Sequence, residues 1–325
     1  MSVEHALEAK NLFKVFGRNP KQAIARLQAG QTRAEVADAG TAAVIDASFT
    51  VKRGEIFVIM GLSGSGKSTI IRMLNGLLEP SSGEVIVHGK SVTDASAAEL
   101  RAIRRSSISM VFQHFALLPH RTVIDNAAYA LEIQGVAKEE RLARAREILD
   151  KVGLGDRPDA FPDELSGGMR QRVGLARALT AGTDILLMDE AFSALDPLIR
   201  REMQEQLVEL QQELGRTIVF ITHDLNEAMF LGDRIAVMRD GRIVQLGTPE
   251  EILTDPANDY VAQFVQDVDR ARVLTASAVM KPPGLTTPIS AGVRGALRVM
   301  REFQASVVFA VENRRLVGVV TDRAV

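Results

Sequence analysis

The sequence predicts an α/β fold built on a mainly parallel sheet. Short, continuous apolar runs of the kind that form buried parallel strands recur along the chain. These runs are "EIFVIM" (55–60), "ISMVF" (108–112), "DILLMD" (184–189) and "TIVFIT" (217–222). Segments with helical patterns separate them, and strands that alternate with helices are typical of an α/β protein.

Helix and turn signals define the elements between these strands. "STIIRMLNGLL" predicts a helix after the first run, and "GEVIVHG" (83–89) alternates as a hairpin strand does. Further helices are predicted at about 122–134, 138–151 and 197–214.

Residues 18–44 interrupt this plan with two short helical signals. Asn19 and Pro20 can start one helix and Gly30 can end it. "TRAE" is a capping box with Thr32 as the cap, and Gly40 follows as a stop signal. We therefore expect a two-helix insertion; the alternative is an irregular loop, because helices this short need packing to persist.

The pattern changes again near residue 270. After "TASAVMKPPGLTT" come a helical "GVRGALRVMREF" and two short apolar strands, "SVVFAV" and "LVGVVT". We expect two domains, 1–270 and 271–325, the second of α+β type.

Composition narrows the class of protein. The formal net charge is −2, which gives no support for a nucleic-acid partner. There is no cysteine, which excludes disulfides and cysteine-ligated metals and fits a reducing cytosol. No apolar run is long enough to span a bilayer, and the first residues do not have the pattern of a signal peptide. Any membrane role is therefore expected to come through a partner.

A phosphate-binding loop is predicted at "GLSGSGKST" (61–69), which lies between a predicted strand and a predicted helix as this motif requires. Its glycines let backbone N–H groups turn toward phosphates, and the helix N-terminus favours an anion. Lys67 is expected to reach the β- and γ-phosphates of a nucleotide, and Ser68 to ligate Mg²⁺. The nucleotide-binding residues predicted here are Gly61, Ser63, Gly64, Ser65, Gly66, Lys67, Ser68 and Thr69.

Polar residues follow three other predicted strands at their carboxyl ends, the edge of a parallel sheet where ligands bind. Asp189 ends "ILLMD" and is predicted to hold Mg²⁺, and Glu190 is the candidate general base for an attacking water. His223 follows "TIVFIT" and Gln113 follows "SMVF". A lone histidine or glutamine at such a place is more often structural, but polar residues at several parallel strand ends, together with the phosphate loop, indicate a functional site at this edge.

A second glycine-rich segment, "LSGGMRQR" (165–172), precedes another helix. With the motifs above it makes residues 7–265 resemble the nucleotide-binding subunits of ABC transporters. The resemblance implies a fold of the phosphate-loop NTPase type, with a RecA-like core, an antiparallel β subdomain and a helical subdomain at about 95–170. It also implies a head-to-tail homodimer in which Ser166, Gly167 and Gly168 bind the γ-phosphate of the ATP held by the neighbouring subunit. The alternative is a helix cap that serves only its own helix.

Other residues acquire roles only through this resemblance. "SALD" (193–196) is similar to the D-loop of the family and places Asp196 at the nucleotide, and Phe16 matches the aromatic that stacks on adenine. Gln113 matches the family's Q-loop glutamine, which ligates the metal and takes part in catalysis, and His223 matches its switch histidine. The segment 114–126, with Phe115 and Leu117, corresponds to part of the groove that receives a helix of the membrane subunit.

Longer stretches such as "MVFQHFALLPHRTVIDNAAYALE" and "FPDELSGGMRQRVGLARAL" resemble the ATPase subunits of glycine betaine/proline betaine importers. This implies an ATPase at the cytoplasmic face of the membrane, with two transmembrane permease subunits and, indirectly, an external solute-binding protein. The solute stays open among glycine betaine, proline betaine, choline and similar compounds. Residues 271–325 resemble an incomplete CBS repeat, so any regulatory role is undecided. The alternatives are an ATPase of another importer class, a non-transport ABC ATPase, and a module that senses nucleotide without turnover.

Overall fold

The computed structural model describes residues 5–113, 116–193, 195–266, 268, 273, 280, 284–313 and 315–324. The chain divides into two compact units, Met1–Val273 and Leu274–Val325. The predicted boundary at 270 lies close to this division.

The strands of the first unit are β1 (His5–Phe16), β2 (Thr41–Lys52), β3 (Ile56–Met60), β4 (Ser82–Val87), β5 (Lys90–Ser91), β6 (Ile108–Val111), β7 (Ile185–Asp189), β8 (Thr217–Thr222), β9 (Arg234–Arg239) and β10 (Arg242–Gly247). The helices described there are α1 (Pro20–Gln28), α2 (Lys67–Leu74), α3 (Ala97–Ser106), α4 (Val123–Ile133), α5 (Lys138–Lys151), α6 (Gly167–Thr180), α7 (Pro197–Leu214), α8 (Leu225–Leu231), α9 (Pro249–Thr254) and α10 (Asp259–Phe264).

A six-stranded sheet in the order β10-β9-β3-β8-β7-β6 forms the centre of this unit. Five of its strands run parallel, and only β10 is antiparallel to its neighbour. Every residue of β3, β7 and β8 is buried, which explains why their sequences are continuous apolar runs rather than alternating ones. The predicted α/β class with a mainly parallel sheet is confirmed.

A second, antiparallel sheet in the order β2-β1-β4-β5 packs over α2. The apolar side chains of α2, such as Ile70 and Leu74, are fully buried in a cluster that also contains residues of both sheets. The helix that begins at the phosphate loop is therefore fixed from two sides. Helices α4, α5 and α6 pack on one another as a separate layer, whereas β6, which falls inside the predicted helical range 95–170, belongs to the central sheet.

The insertion contains one helix rather than the two that were predicted. Helix α1 begins at Pro20 as expected, although Asn19 makes no side-chain capping bond. Residues 33–39 form turns, even though the Thr32–Glu35 capping interactions are present. Two of the backbone bonds in this segment join residues three apart, Ala37 to Ala34 and Ala39 to Val36, so the backbone closes tighter than an α-helix before Gly40 ends it.

Side chains hold the insertion to the body of the unit. Leu27 of α1 and Val36 of the turn segment are buried in one cluster with residues of β1 and β2. Arg26 pairs with Asp38 at 2.8 Å and donates to the carbonyl of Glu35, which ties the turn segment to the helix. Packing therefore supplies what the short helix lacks by itself.

The second unit has the predicted order of a helix followed by two strands. A three-stranded sheet is built from β11 (Thr286–Pro288), β12 (Val307–Glu312) and β13 (Arg315–Thr321), and α11 (Gly292–Glu302) packs on it. Ala296, Met300 and Val308 form its small buried cluster. None of the helices that the structure describes has both the length and the apolarity needed to cross a bilayer.

Replacement of Leu27 by alanine tests whether the insertion is a packed element. Leu27 is 3% exposed, so Leu27→Ala should weaken the docking of α1 by about 2–4 kcal/mol. Hydrogen exchange of the α1 amides should accelerate accordingly. Gln28→Ala, at the exposed neighbouring position, is the control and should leave exchange within about threefold of wild type. Equal exchange in the two variants would show that α1 is not held by this cluster.

Candidate nucleotide-binding site

The phosphate loop connects β3 to α2, and two of its glycines, Gly61 and Gly66, lie where no larger residue fits. A Cβ atom on Gly61 would lie 2.4 Å from the carbonyl oxygen of Met238, and one on Gly66 would lie 2.3 Å from that of Ala43. Both glycines have positive φ, 154° and 106°. The loop therefore presses its backbone against β9 and β2, which only glycine allows.

The outer part of the loop faces open space. A Cβ on Gly64 would contact nothing within 4 Å. The hydroxyl of Ser65 is buried and has no hydrogen-bond partner among the described residues. An unpaired buried donor beside open backbone suits a loop that binds phosphate oxygens.

Lys67 lies in the middle of this cradle and is buried. Its Nζ donates to the carbonyls of Gly61 at 2.7 Å and Leu62 at 3.1 Å, and lies 3.8 Å from Oε1 of Glu190. Burial lowers the pKa of Lys67, and the charges of Glu190 and Asp189 oppose that effect. The ammonium group is thus held by oxygen acceptors next to the loop, in a position from which it can bind phosphates.

Ser68 and Asp189, both predicted to ligate a metal, are in contact. The Ser68 hydroxyl donates to Oδ1 of Asp189 at 3.0 Å. Burial raises the pKa of Asp189, and the Ser68 hydrogen bond and the charge of Arg72 work against that rise. Arg72, 3.9 Å from Asp189, did not figure in the sequence prediction. Its spacing of four residues from Ser68 is a signal that could have found it, since such residues share a helix face.

Glu190 and His223 also meet. Nδ1 of His223 lies 3.1 Å from Oε2 of Glu190, so the two carboxylate oxygens face His223 and Lys67 separately. Glu190 has φ 46°, a left-handed conformation that is rare outside glycine. Its N–H donates to the carbonyl of Ile221, and this bond fixes the residue at the sheet edge. Strained backbone of this kind concentrates at functional sites.

Gln113 and Phe16 lie apart from these contacts. Gln113 follows β6 with an exposed side chain and is not among the hydrogen-bond partners of Ser68 and Asp189 in the part of the chain that the structure describes. Phe16 ends β1 with 46% of its surface exposed, and the Nζ of Lys14 lies 5.2 Å from its ring centre. An exposed aromatic face is compatible with stacking on a base.

The segment 165–172 lies at the start of α6 and makes its contacts there. The Ser166 hydroxyl accepts the N–H of Met169 at 3.3 Å and so caps the helix. A Cβ on Gly167 would have open space around it, whereas one on Gly168 would approach Ile199 of α7 to 2.9 Å. Asp196 caps α7 in the same manner by accepting the N–H of Ile199. Ser166 is exposed, and neither serine nor aspartate is hydrogen-bonded to the phosphate loop in the described residues.

Arg33 from the insertion was not anticipated. Its Nη1 donates to the carbonyl of Gly64 at 3.2 Å and thereby places a cation on the rim of the phosphate loop. No pattern in the sequence links Arg33 to a loop some thirty residues away; only the docking of the insertion brings them together. His114, Phe115 and Ala194 lie outside the described residues.

Magnesium would need ligands beyond the protein. No cluster of three or more acidic, histidine or cysteine side chains suited to a metal occurs in the described ranges. Ser68 and Asp189 supply hard oxygens on one side, and Mg²⁺ commonly takes one or two protein ligands together with phosphate oxygens and waters. The donor set therefore fits a metal that arrives with a nucleotide.

Comparison with known proteins agrees with this geometry. The profile of the ABC transporter family matches residues 44–193. The chain is 53% identical over 317 residues to the glycine betaine transport ATP-binding protein OpuAA of Bacillus subtilis, covering 97% of this chain and 76% of that protein. It is 52% identical over 322 residues to the glycine betaine/proline betaine transport system ATP-binding protein ProV of Salmonella typhimurium, covering 97% and 80%.

Among solved structures, a dimeric post-hydrolysis state of the ATP-binding cassette MJ0796 bound to ADP and Pi is similar in fold. Its TM-score is 0.64 at 33% identity, and the match covers 75% of this chain and 98% of that one. The predicted phosphate-loop NTPase fold is thereby confirmed. Together with the relatives that match almost the whole chain, it shows that the protein belongs to the ABC transporter family, among its ATP-binding proteins.

Proposed function

We propose that this protein is the ATP-hydrolysing subunit of an importer for a compatible solute such as glycine betaine, proline betaine or choline. The observation that carries the proposal is the convergence of Lys67, Ser68, Asp189, Glu190 and His223 at one sheet edge. The names of the relatives support the solute class. The solute itself is selected elsewhere, by a permease and a binding protein.

ATP is the proposed substrate and Mg²⁺ the proposed cofactor. Backbone N–H groups of residues 61–69 and the ammonium of Lys67 bind the phosphates, and Phe16 stacks on the adenine. Ser68 and Asp189 would hold the metal, with Gln113 as a further proposed ligand. When bound, Mg²⁺ neutralises charge that develops on the phosphate oxygens. The side chain of Gln113 is exposed, so it is accessible to a metal bound at this edge.

Glu190 acts as the general base in this scheme. Once phosphates replace the Lys67 contact, Oε1 of Glu190 can accept a proton from water as that water attacks the γ-phosphorus. The bond to the β–γ bridging oxygen breaks, and ADP and phosphate leave. His223 holds Oε2 and keeps the carboxylate oriented.

The proposed assembly is a head-to-tail homodimer in which Ser166, Gly167, Gly168 and Asp196 face the nucleotide of the partner. Support comes from the exposed positions of Ser166 and Asp196 in one chain and from the dimeric form of MJ0796. The dimer is proposed to lie at the cytoplasmic face of the membrane against two permease subunits. Residues 271–325 are proposed to be a partial CBS-like domain.

A groove of about 340 Å³ is the proposed contact for the permease. It lies between α3, β6, α4 and α6, and its lining includes Phe112, Tyr129 and Ile133 together with Arg104 and Arg105. Phe112 and Ile133 are exposed apolar residues. An apolar floor with cationic edges suits an amphipathic helix.

Glu190→Gln should bind ATP normally and hydrolyse it roughly a hundredfold or more slowly, because the amide cannot take the proton. Phosphate release measures turnover, and retention of ATP on gel filtration measures occlusion. Lys67→Ala, in contrast, should lose binding. Near-normal turnover in Glu190→Gln would remove Glu190 from the role of base.

Mixing two inactive variants, Lys67→Ala and Ser166→Arg, tests the shared site. In a mixed dimer one site receives both defects, and the other pairs an intact phosphate loop with an intact Ser166. ATP occlusion should appear only in the mixture, in up to about half of the dimers if pairing is random. If each site were built within a single chain, mixing would not increase ATP occlusion. Differently tagged subunits verify that heterodimers have formed.

Ile133→Asp should uncouple the two activities of the transporter. Ile133 is 58% exposed, so the isolated subunit should stay folded and hydrolyse ATP at the wild-type rate. Solute uptake by the assembled transporter should fall about tenfold or more, because a charge enters an apolar contact. Leu246→Asp, an exposed apolar position on β10, is the control and should leave uptake unchanged. Equal uptake in both variants would place the permease contact elsewhere.

A further inference from the structure

Arg200, near the start of α7, joins two loops of the site. Its Nη2 donates to the carbonyls of Ser193 at 3.3 Å and Leu195 at 3.0 Å. Its Nη1 lies 3.4 Å from Oδ2 of Asp224. One guanidinium group therefore contacts both the loop that follows β7 and the loop that follows β8.

Each of these loops also contains one member of the contact between Glu190 and His223. Asp224 directly follows His223, and its other oxygen, Oδ1, accepts the N–H groups of Asn226 and Glu227 at the start of α8. On the other side, the N–H and the hydroxyl of Ser193 both donate to the carbonyl of Glu190, at 3.1 and 2.9 Å.

These contacts form a closed ring. It runs from Glu190 to His223 through their side chains, along the chain to Asp224, across to Arg200, then to Ser193 and back to Glu190. A ring that closes on both partners fixes their relative position more firmly than the 3.1 Å contact could by itself. The left-handed backbone of Glu190 needs such support from its surroundings.

Helix stability does not account for this arginine. A cation in the first turns of a helix is unfavourable, because the N-terminus carries partial positive charge. The Nε–H of Arg200 is also buried and has no hydrogen-bond partner among the described residues. The adjacent Arg201 behaves differently: it is exposed and pairs with Glu205 one turn further along α7.

We infer that Arg200 is a positioning residue that holds Glu190 and His223 in their hydrolytic arrangement by tying together the loops after β7 and β8. The inference rests on the proposed ATPase function. It assigns Arg200 no contact with nucleotide, so its loss should slow the chemical step and leave ATP binding intact.

Arg200→Met tests this, since methionine retains an apolar stem and removes the donors. In the full chain, kcat for ATP should fall about tenfold with KM changed less than about twofold. Thermal unfolding should show the variant folded at the assay temperature. Arg201→Met is the matched control and should keep the wild-type kcat.

A double-mutant cycle with Asp224→Asn separates positioning from general damage. Asparagine still caps α8 but loses its charge toward Arg200, so kcat should fall in this variant as well. Because both residues act through one contact, the double variant should be no slower than the slower single variant.

Three outcomes would overturn the inference while leaving the ATPase proposal intact. These are an equal kcat in the Arg200→Met and Arg201→Met variants, a double-variant loss equal to the product of the two single losses, and a rise in KM without a fall in kcat. A wild-type chain without Mg²⁺-dependent ATP hydrolysis would overturn the proposed function, and the inference with it.

Discussion

Close contact between backbone segments is the constraint on which the rest of the site depends. Gly61 and Gly66 bring the phosphate loop against the carbonyls of Met238 and Ala43, in two different sheets. Gly241 adds a hydrogen bond from its N–H to the carbonyl of Ser65. The loop is thereby clamped between the sheets before any ligand binds, and α2, which starts from it, is buried in the core that both sheets share. Because the loop is already ordered, ligand binding does not incur the entropic cost of ordering it.

The charge states of the buried residues in this site depend on a few neighbouring charges. Burial favours the neutral forms of both Lys67 and Asp189, since it lowers the pKa of the first and raises that of the second. At Lys67 the charges of Glu190 and Asp189 oppose the effect of burial on the pKa. At Asp189 the Ser68 hydrogen bond and the charges of Arg72 and Lys67 oppose it, whereas the charge of Glu190 raises the pKa further. A nucleotide would bring new negative charge to Lys67 and a metal would bring positive charge to Asp189. The phosphates would then compete with Glu190 for Lys67, and the metal with Arg72 for Asp189.

Much of the fold and site could be predicted because the signals are local. The apolar runs predict the buried strands, and the helical pattern at 197–214 predicts the observed bounds of α7, Pro197–Leu214. The contacts between Ser68 and Asp189 and between Glu190 and His223 follow from the rule that parallel strands end at one edge. The turn at 33–39 was missed because capping residues indicate where a helix can begin. They do not decide whether the backbone hydrogen bonds that follow join residues three or four apart. Arg33 was missed because only tertiary packing brings it close to Gly64, and Arg200 was missed because its contact with Asp224 depends in the same way on two loops that lie far apart in the sequence.

The role of Ser166 raises a question that its geometry answers. Its oxygen already caps α6, and the proposed shared site would give the same hydroxyl a second task. The bond to Met169 occupies only one lone pair, however, and the hydroxyl proton remains free to donate. The first N–H groups of α6, those of Gly167 and Gly168, also have no partner within the helix. A cap for its own helix and a donor to a phosphate brought by another subunit are therefore the same arrangement, so the two interpretations of this segment do not compete.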